Sequence, residues 1–309
     1  MATTVTVSSN YSGETAGQYI GKSFKEADTI KQGLVKVLPD IPFQTSLRKI
    51  SYADGRVDYA CGFTPTGAVT LSEKLLTPKK IKNEQEICKE DLRQIWSSAS
   101  MGFSAWNDRM PADVDEALMA EILGDTAEAT DADIWQGDAT NTGSFDGFIK
   151  LFDADANVIK AGSGITSLTA AISKANVISE IEKVLDAIPI ALRKKPDLNF
   201  MVSPDVANFY NQALVGAGIS NGNGGDPFQL RYGQYEIVTV NGLPANTFVV
   251  AESKNLCFGT GLLSDHNMVR FQDMDDHLMD GNVRYKMVYT AGVQYYNSED
   301  IVWYLSTTP

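Results

Sequence analysis

The chain has 309 residues, enough for a large buried core in one domain or in two intertwined ones. Its 39 acidic side chains outnumber 26 basic ones, a net charge of -13, which argues against a surface built to neutralise phosphates and so against direct DNA binding. The three cysteines, Cys61, Cys88 and Cys257, are widely spaced and form no C-x-x-C, so neither a disulfide framework nor a zinc site is indicated and a reducing compartment is expected.

The first dozen residues, "MATTVTVSSNYS", are Ser/Thr-rich, lack the basic-then-apolar pattern of a leader, and are expected to be mobile or to lie extended along a neighbour. No apolar run approaches the roughly 18 residues that span a bilayer, so no membrane role is expected. In "QYIGKSFKEADTIKQGLVKVLPD" the residues Ile20, Phe24, Ala27, Ile30 and Leu34 share one helical face, and Pro39 closes the helix. An amphipathic helix on a loose arm needs a partner surface.

Residues 44 to 85 have strand-like patches around Asp54-Gly55, a Pro/Gly/Thr-rich middle and a basic run at Lys79, Lys80 and Lys82. That predicts a long two-stranded excursion, which buries little by itself and needs packing on another chain. The alternative is a mobile surface hairpin.

From Pro111 to Trp135 the spacing of Val114, Leu118 and Ile122, followed by Ala129 and Ala132, predicts a helix of about 36 Å with one narrow buried stripe. Its other face is dense in Asp and Glu. "IWQGDATNTGSFDGFIK", residues 134 to 150, ends it, with Gly137 placed for a left-handed helix end and Gly143 and Gly147 for further turns.

An α+β region follows. Val177, Ile181, Val184, Leu185 and Ile188 predict an amphipathic helix, and "LNFMVSPDVANFYNQAL" a buried strand, Ser203 as N-cap, Pro204 as first helical residue and a helix to about Leu214. After a Gly/Asn-rich loop at Gly216 to Gly225, strands are predicted at Tyr235–Val240, Thr247–Ala251 and Leu256–Phe258, and then in "MVRFQDMD", "VRYKMVYTAGVQYYN" and "DIVWYLS". No internal repeat is present.

Chemistry finds little support. The glycines at 137 and 143 are followed by no lysine for a phosphate loop, and in "GAGISN" Asn221 stands where a dinucleotide fingerprint needs its third glycine. "DADAN", from Asp153, starts like a calcium loop but has Val158 at position six and Gly164 at position twelve, where glycine and glutamate are needed. The run Asp273, Asp275, Asp276, His277 and Asp280 could collect a divalent cation or be a solvated corner. The two histidines, His266 and His277, lie near that corner in sequence, and the serine-nucleophile imitation "GFSAW" at Gly102 to Trp106 lacks its second glycine. The expectation is a protein that is not an enzyme and has no cofactor.

The order of parts resembles the major capsid proteins of tailed double-stranded DNA bacteriophages, the Hong Kong 97 fold. The resemblance is carried by Gln136 to Asp138 with Gly143 and Gly147-Phe148 after a long helix, by the Val202-Ser203-Pro204 step, by "YEIVTVNGLPANTFVVAE", and by the acidic corner in "VRFQDMDDHLMDGNVRYKMVY". It implies an α+β capsid fold with an N-terminal arm (1–43), an extended E-loop (44–85), the first part of a P-domain with the spine helix (86–165), an A-domain (166–265) and P-domain return strands (266–309).

The function it implies is a structural shell that self-assembles from hexamers and pentamers in the host cytoplasm, becomes the virion capsid and encloses DNA without specific binding. Implied partners are other copies of the chain, a separate scaffolding protein, a portal and a decoration protein. Implied inter-subunit contacts are Ile20, Phe24, Ile30 and Leu34, then Phe63, Leu71, Lys79 and Lys80, and then Gly216 and Gly224. Some relatives crosslink lysine to asparagine with a glutamate's help; Lys74, Lys79, Lys80 and Lys82 are candidate donors here, but Tyr285 to Asn297 contains no carboxylate, so a non-covalent shell is expected. The competing readings are an encapsulin-type nanocompartment shell and a soluble α+β metal-dependent enzyme.

Overall fold

A computed structural model of the chain describes residues 28–59, 61–62, 65–89, 112–160, 172–195, 197–217, 230–274 and 279–305. In chain order the elements are α1 (Asp28–Lys31), β1 (Lys36–Leu38), β2 (Thr45–Ala53), β3 (Ala68–Leu76), β4 (Lys79–Cys88), α2 (Ala112–Gln136), α3 (Phe148–Ala154), β5 (Ile159–Lys160), α4 (Val177–Ala187), β6 (Leu198–Val202), α5 (Pro204–Gly216), β7 (Leu230–Tyr232), β8 (Tyr235–Thr239), β9 (Thr247–Glu252), β10 (Leu256–Gly259), β11 (Val269–Asp273), β12 (Asn282–Tyr295) and β13 (Val302–Leu305). They form a five-stranded sheet, a six-stranded sheet and a separate two-stranded sheet.

The five-stranded sheet is organised by β12, which pairs antiparallel with β4 along one edge and with β11 and then β10 along the other; β1 joins β10 in parallel. Alternation explains its first half: Val283, Tyr285, Met287 and Tyr289 are buried while Arg284 and Lys286 are exposed. The six-stranded sheet runs β5-β13-β9-β6-β8-β7. Its central strands β6, β9 and β13 are covered on both faces, which is why they are mostly apolar without a period-two alternation.

On one face of that sheet, Ile181 and Val184 of α4 and Val206 and Tyr210 of α5 pack with Phe200, Phe248 and Tyr304. On the other, Met201, Val249 and Trp303 join Trp135, Phe148, Phe152 and Tyr295 in a core shared with the five-stranded sheet. Its aromatic rings touch in series, Trp135 to Phe148 at 5.4 Å, Phe148 to Phe152 at 5.8 Å and Phe152 to Tyr295 at 5.4 Å between centroids.

Helix α2 lies across β4, β12 and β11; of its expected stripe Ile122 is buried, the side chains of Val114 and Leu118 lie outside the described residues, and the later part differs. Ala129 is exposed and Ala132 only half-buried; the stripe runs Ile122, Thr126, Thr130, Ile134. Threonine is tolerated there because Thr126 Oγ1 donates to Ile122 O and Thr130 Oγ1 to Thr126 O, each at 2.7 Å, so neither hydroxyl goes unsatisfied.

The helix expected through Leu34 stops at Lys31, and the chain turns at Gly33 into β1. This segment belongs to the body. Thr29 N–H donates to Asp131 Oδ1 at 3.1 Å, and Trp135 Nε1–H donates to Thr29 Oγ1 at 2.8 Å, both buried. Leu34, expected at a subunit contact, is 3% exposed in the chain's own core, with Ile30 packed against that core.

Two expected boundaries also move. The excursion ends at Leu76, because the residues from Lys79 onward pair with β12 in the body. The division at 265/266 cuts across the sheets: β10 precedes it yet lies in the five-stranded sheet, and β13 follows it yet lies in the six-stranded one.

Candidate assembly surface

The two-stranded sheet pairs β2 with β3 from Thr45 opposite Leu76 to Ala53 opposite Ala68. Opposed residues of an antiparallel pair share a face and successive residues alternate. One face therefore carries the pairs Ser46/Leu75, Arg48/Glu73, Ile50/Leu71 and Tyr52/Val69, and the other Leu47/Lys74, Lys49/Ser72 and Ser51/Thr70.

The first face is turned to solvent: Leu75, Ile50, Leu71, Tyr52 and Val69 are 53–73% exposed. The second leans on the body. Lys49 Nζ donates to Asn297 Oδ1 at 2.6 Å and lies 3.5 Å from Glu299, while Lys74 Nζ lies 3.0 Å from Asp155 Oδ2 and 3.5 Å from the Tyr295 ring centroid. A groove of about 300 Å³ runs between that polar face and the body, lined by Lys49, Lys74, Asp155, Tyr296 and Glu299 among others. Leu47 and Leu76 anchor the base in the body. The patterning is inverted relative to a sheet on its own core, with polar residues inward and apolar ones toward water.

Electrostatics hold this posture. Burial pushes the Asp155 carboxyl up, but the Asn157 N–H, Lys74 and the Tyr295 hydroxyl outweigh it and hold the group at about 2. Burial in turn pulls Lys74 down against the raising effect of Asp155. Of the lysines considered as crosslink donors, Lys74 is therefore committed within its own chain, as are Lys79, which donates to Ser144 O at 2.6 Å and Ala139 O at 3.2 Å, and Lys82, 2.6 Å from Glu84.

The glycine-rich exit of α2 is a packing device. Gly143 takes a left-handed conformation at φ 82°. Gly137 does not, contrary to expectation; it is needed because a Cβ there would sit 2.3 Å from Phe145 O. Gly147 N–H donates to Gly137 O at 2.9 Å, and a Cβ on Gly147 would meet Gly137 N at 2.6 Å and Asp133 O at 2.7 Å. Two backbone segments cross where no side chain fits, and α3 starts there.

The other candidate sites lead away from chemistry. In the "DADAN" turn, Asp153 pairs with Lys160 at 3.0 Å and Asp155 with Lys74. Asp273 meets the buried Lys89 at 2.6 Å, and Asp280 Oδ1 accepts the Asn282 N–H; Asp275, Asp276 and His277 lie outside the described residues. Among the described residues no group of three His, Cys, Asp or Glu is placed to hold a metal ion. His266 sits apart from that corner, its Nε2 2.9 Å from Thr260 Oγ1 and its ring beside Tyr289, and burial lowers its pKa. Burial pushes the Cys257 thiol up to about 11, the wrong direction for a nucleophile. Gly218 to Gly222 does fit G-x-S-x-G, but it follows helix α5 where a nucleophile elbow needs a strand, and it lies outside the described residues, as does "GFSAW".

Among the expected contact residues, Leu71 and Lys80 are exposed, Gly216 is exposed at the end of α5, and Ile20, Phe24, Phe63 and Gly224 lie outside the described residues. Sequence reasoning missed Ile50, Tyr52, Val69 and Leu75. The signal was present as period-two alternation in "RKISYA" and "AVTLSEKLL".

No family model matches the sequence, and no curated protein matches it. Solved structures do match over nearly the whole chain. The capsid of a native GTA particle is 11% identical with a TM-score of 0.65, covering 92% of this chain and 92% of that one. The capsid of Myoviridae phage XM1 is 11% identical with a TM-score of 0.60, covering 95% and 96%. The procapsid of satellite phage P4, including its size determination (Sid) protein, is 13% identical with a TM-score of 0.57, covering 90% and 88%. The mixed α+β architecture of this chain is the fold of these capsid structures.

Proposed function

We propose that the chain is the major capsid protein of a tailed double-stranded DNA phage, a structural subunit that assembles into hexamers and pentamers of an icosahedral shell. The observation that carries this reading is the inverted two-stranded sheet: a chain with a capsid fold turns five apolar side chains outward on a projection clamped by lysines on its other face. Such a face marks a surface that a neighbour covers, and a second copy is the neighbour a shell supplies.

In this reading β2 and β3 are the extended loop, α2 is the spine helix of the P-domain, and α4 and α5 with the six-stranded sheet make the A-domain. Ile20, Phe24, Phe63, Leu71, Lys80, Gly216 and Gly224 keep roles at subunit contacts. The acidic balance fits a wall that encloses DNA without gripping it. A procapsid neighbour that holds a second, size-determining protein supports a scaffolding partner, with portal and decoration proteins completing the particle in the host cytoplasm. Phage capsids among the structural neighbours favour a phage shell over an encapsulin and over a metal-dependent enzyme.

The test is size-exclusion chromatography and negative-stain microscopy of the chain expressed alone and with its neighbouring genes. Rings or closed shells tens of nanometres across are expected. A small species that never assembles under any partner or salt condition overturns the reading.

A further inference from the structure

Helix α2 and the strands β4, β12 and β11 form a two-layer slab whose outer faces carry opposite charge. On the sheet side, alternation and register place Arg270, Arg284, Lys286, Lys80 and Lys82 outward beside, among the described residues, only two carboxylates, Glu84 and Glu86. Glu84 lies 2.7 Å from Lys286 and 2.6 Å from Lys82, and Glu86 lies 3.1 Å from Arg284, so these carboxylates are already engaged and an excess of three positive charges remains. This is a basic face on a chain whose net charge is -13. On the helix side, Glu121, Asp125 and Glu128 follow one another at i, i+4 and i+7, opposite the stripe of Ile122, Thr126 and Thr130 that packs on the sheet. Asp125 and Glu128 are exposed.

We propose that the outward face of β4-β12-β11 docks the acidic outward face of α2 from a second copy of this chain. The proposal rests on the shell reading above and adds to it a second contact, electrostatic where the two-stranded sheet is apolar. The occupant follows from the opposed charge of the two faces. Arg270 on β11 and Lys80 on β4 flank β12 opposite Lys286 and Thr290, about 13 Å apart along the strands and about 10 Å across them, a separation of about 16 Å. The carboxylates of α2 span seven residues of helix, about 10 Å.

The two surfaces lie on opposite sides of one slab, so they cannot meet within a chain. They can meet head to tail between copies, the heterologous arrangement from which rings are built. Opposed charge of this kind fixes register and suppresses wrong pairings, and it weakens with salt.

The experiment reverses the two outward cations that make no ion pair among the described residues, Lys80→Glu with Arg270→Glu, and follows assembly of the full chain, with its neighbouring genes if these are needed, by light scattering and microscopy. A milder pair, Lys80→Gln with Arg270→Gln, keeps the test usable if reversal impairs folding, which thermal melting reports. The concentration needed for assembly is expected to rise at least about threefold on reversal, the effect of two exposed ion pairs. Adding Glu121→Lys with Asp125→Lys restores assembly, whereas restoring net charge with Asp186→Lys and Glu236→Lys on the six-stranded-sheet side does not.

Assembly of the folded reversed variant at wild-type concentration and salt dependence overturns the proposal. So does rescue by both compensating pairs alike, which would make net charge the cause. Particles that form normally but without DNA also overturn it, since the cations would then be reading phosphates. A wild-type chain that never assembles is a different outcome, because it removes the shell reading itself.

Discussion

Replacing Ile50 and Leu71 together by serine separates folding from assembly. The two side chains face each other across β2 and β3 and are 71% and 73% exposed. Fully burying an aliphatic side chain contributes about 1.5–3 kcal/mol, so covering the remaining seven-tenths of each is worth roughly 1–2 kcal/mol, and the pair about 2–4 kcal/mol per contact as an upper estimate. That is a factor of roughly 30 to 1,000 in the affinity of each contact. In the unassembled chain the same change removes little buried surface, and its stability should stay within about 0.5 kcal/mol of wild type. Chemical denaturation of the unassembled chain measures the second quantity, and size-exclusion chromatography over a concentration series measures the first. Wild-type assembly by the double variant would refute the outward-face argument. So would a stability loss of the size of a core truncation, about 2–5 kcal/mol, which would mean that the face is covered by its own chain.

Thr29→Val leaves the indole N–H of Trp135 buried without its acceptor and should cost about 1–3 kcal/mol in urea denaturation; a neutral result would show that the tie between α1 and α2 carries no weight. Gly147→Ala drives a Cβ into the Gly137 and Asp133 backbone and should abolish soluble expression or lower the melting temperature steeply, whereas Gly143→Ala, in open space at positive φ, should cost only about 1 kcal/mol; equal effects would refute the crossing-backbone account. Asp155, held at about 2 against an ordinary value of 3.8, contributes stability that is fully present above pH 3.8 and is lost as pH falls through 2. After solvent screening its share is on the order of 1 kcal/mol, and acid titration of Lys74→Met against wild type should show a reduced loss across that window; identical acid profiles would remove the clamp. Mature particles boiled in denaturant should run as one monomer band whose intact mass matches the sequence; a ladder, or a monomer lighter by one ammonia, would contradict a non-covalent shell.

Most secondary structure was legible because its periodicity was strong. The buried strands Leu198–Val202, Thr247–Glu252 and Val302–Leu305 are dominated by apolar residues, with Asn199, Thr247 and Glu252 as the polar exceptions, and α4 shows four buried residues at helical spacing, Val177, Ile181, Val184 and, just beyond it, Ile188. The exit of α2 was legible as a place where glycine matters, but not the reason at each position: a positive φ and a close backbone approach both select glycine, and only coordinates separate Gly143 from Gly137. The stripe of α2 was misread because Thr126 and Thr130 return their hydroxyls to the helix backbone and so enter a core that a hydropathy pattern reserves for apolar residues.

By itself the sequence determined the element types, the order of parts that resembles a capsid chain, and the scarcity of catalytic groupings, since each rests on local spacing and composition. Tertiary structure alone decided where those parts sit. Leu34 and Lys79, expected at a subunit contact, are used within the chain, because long-range pairing through β1 and β4 draws their segments into the body. The pairing register of β2 and β3, together with the lysine contacts to Asp155 and Asn297, turned one face of that sheet outward; period-two alternation says that two faces exist, and only the contacts made across the chain say which one meets water.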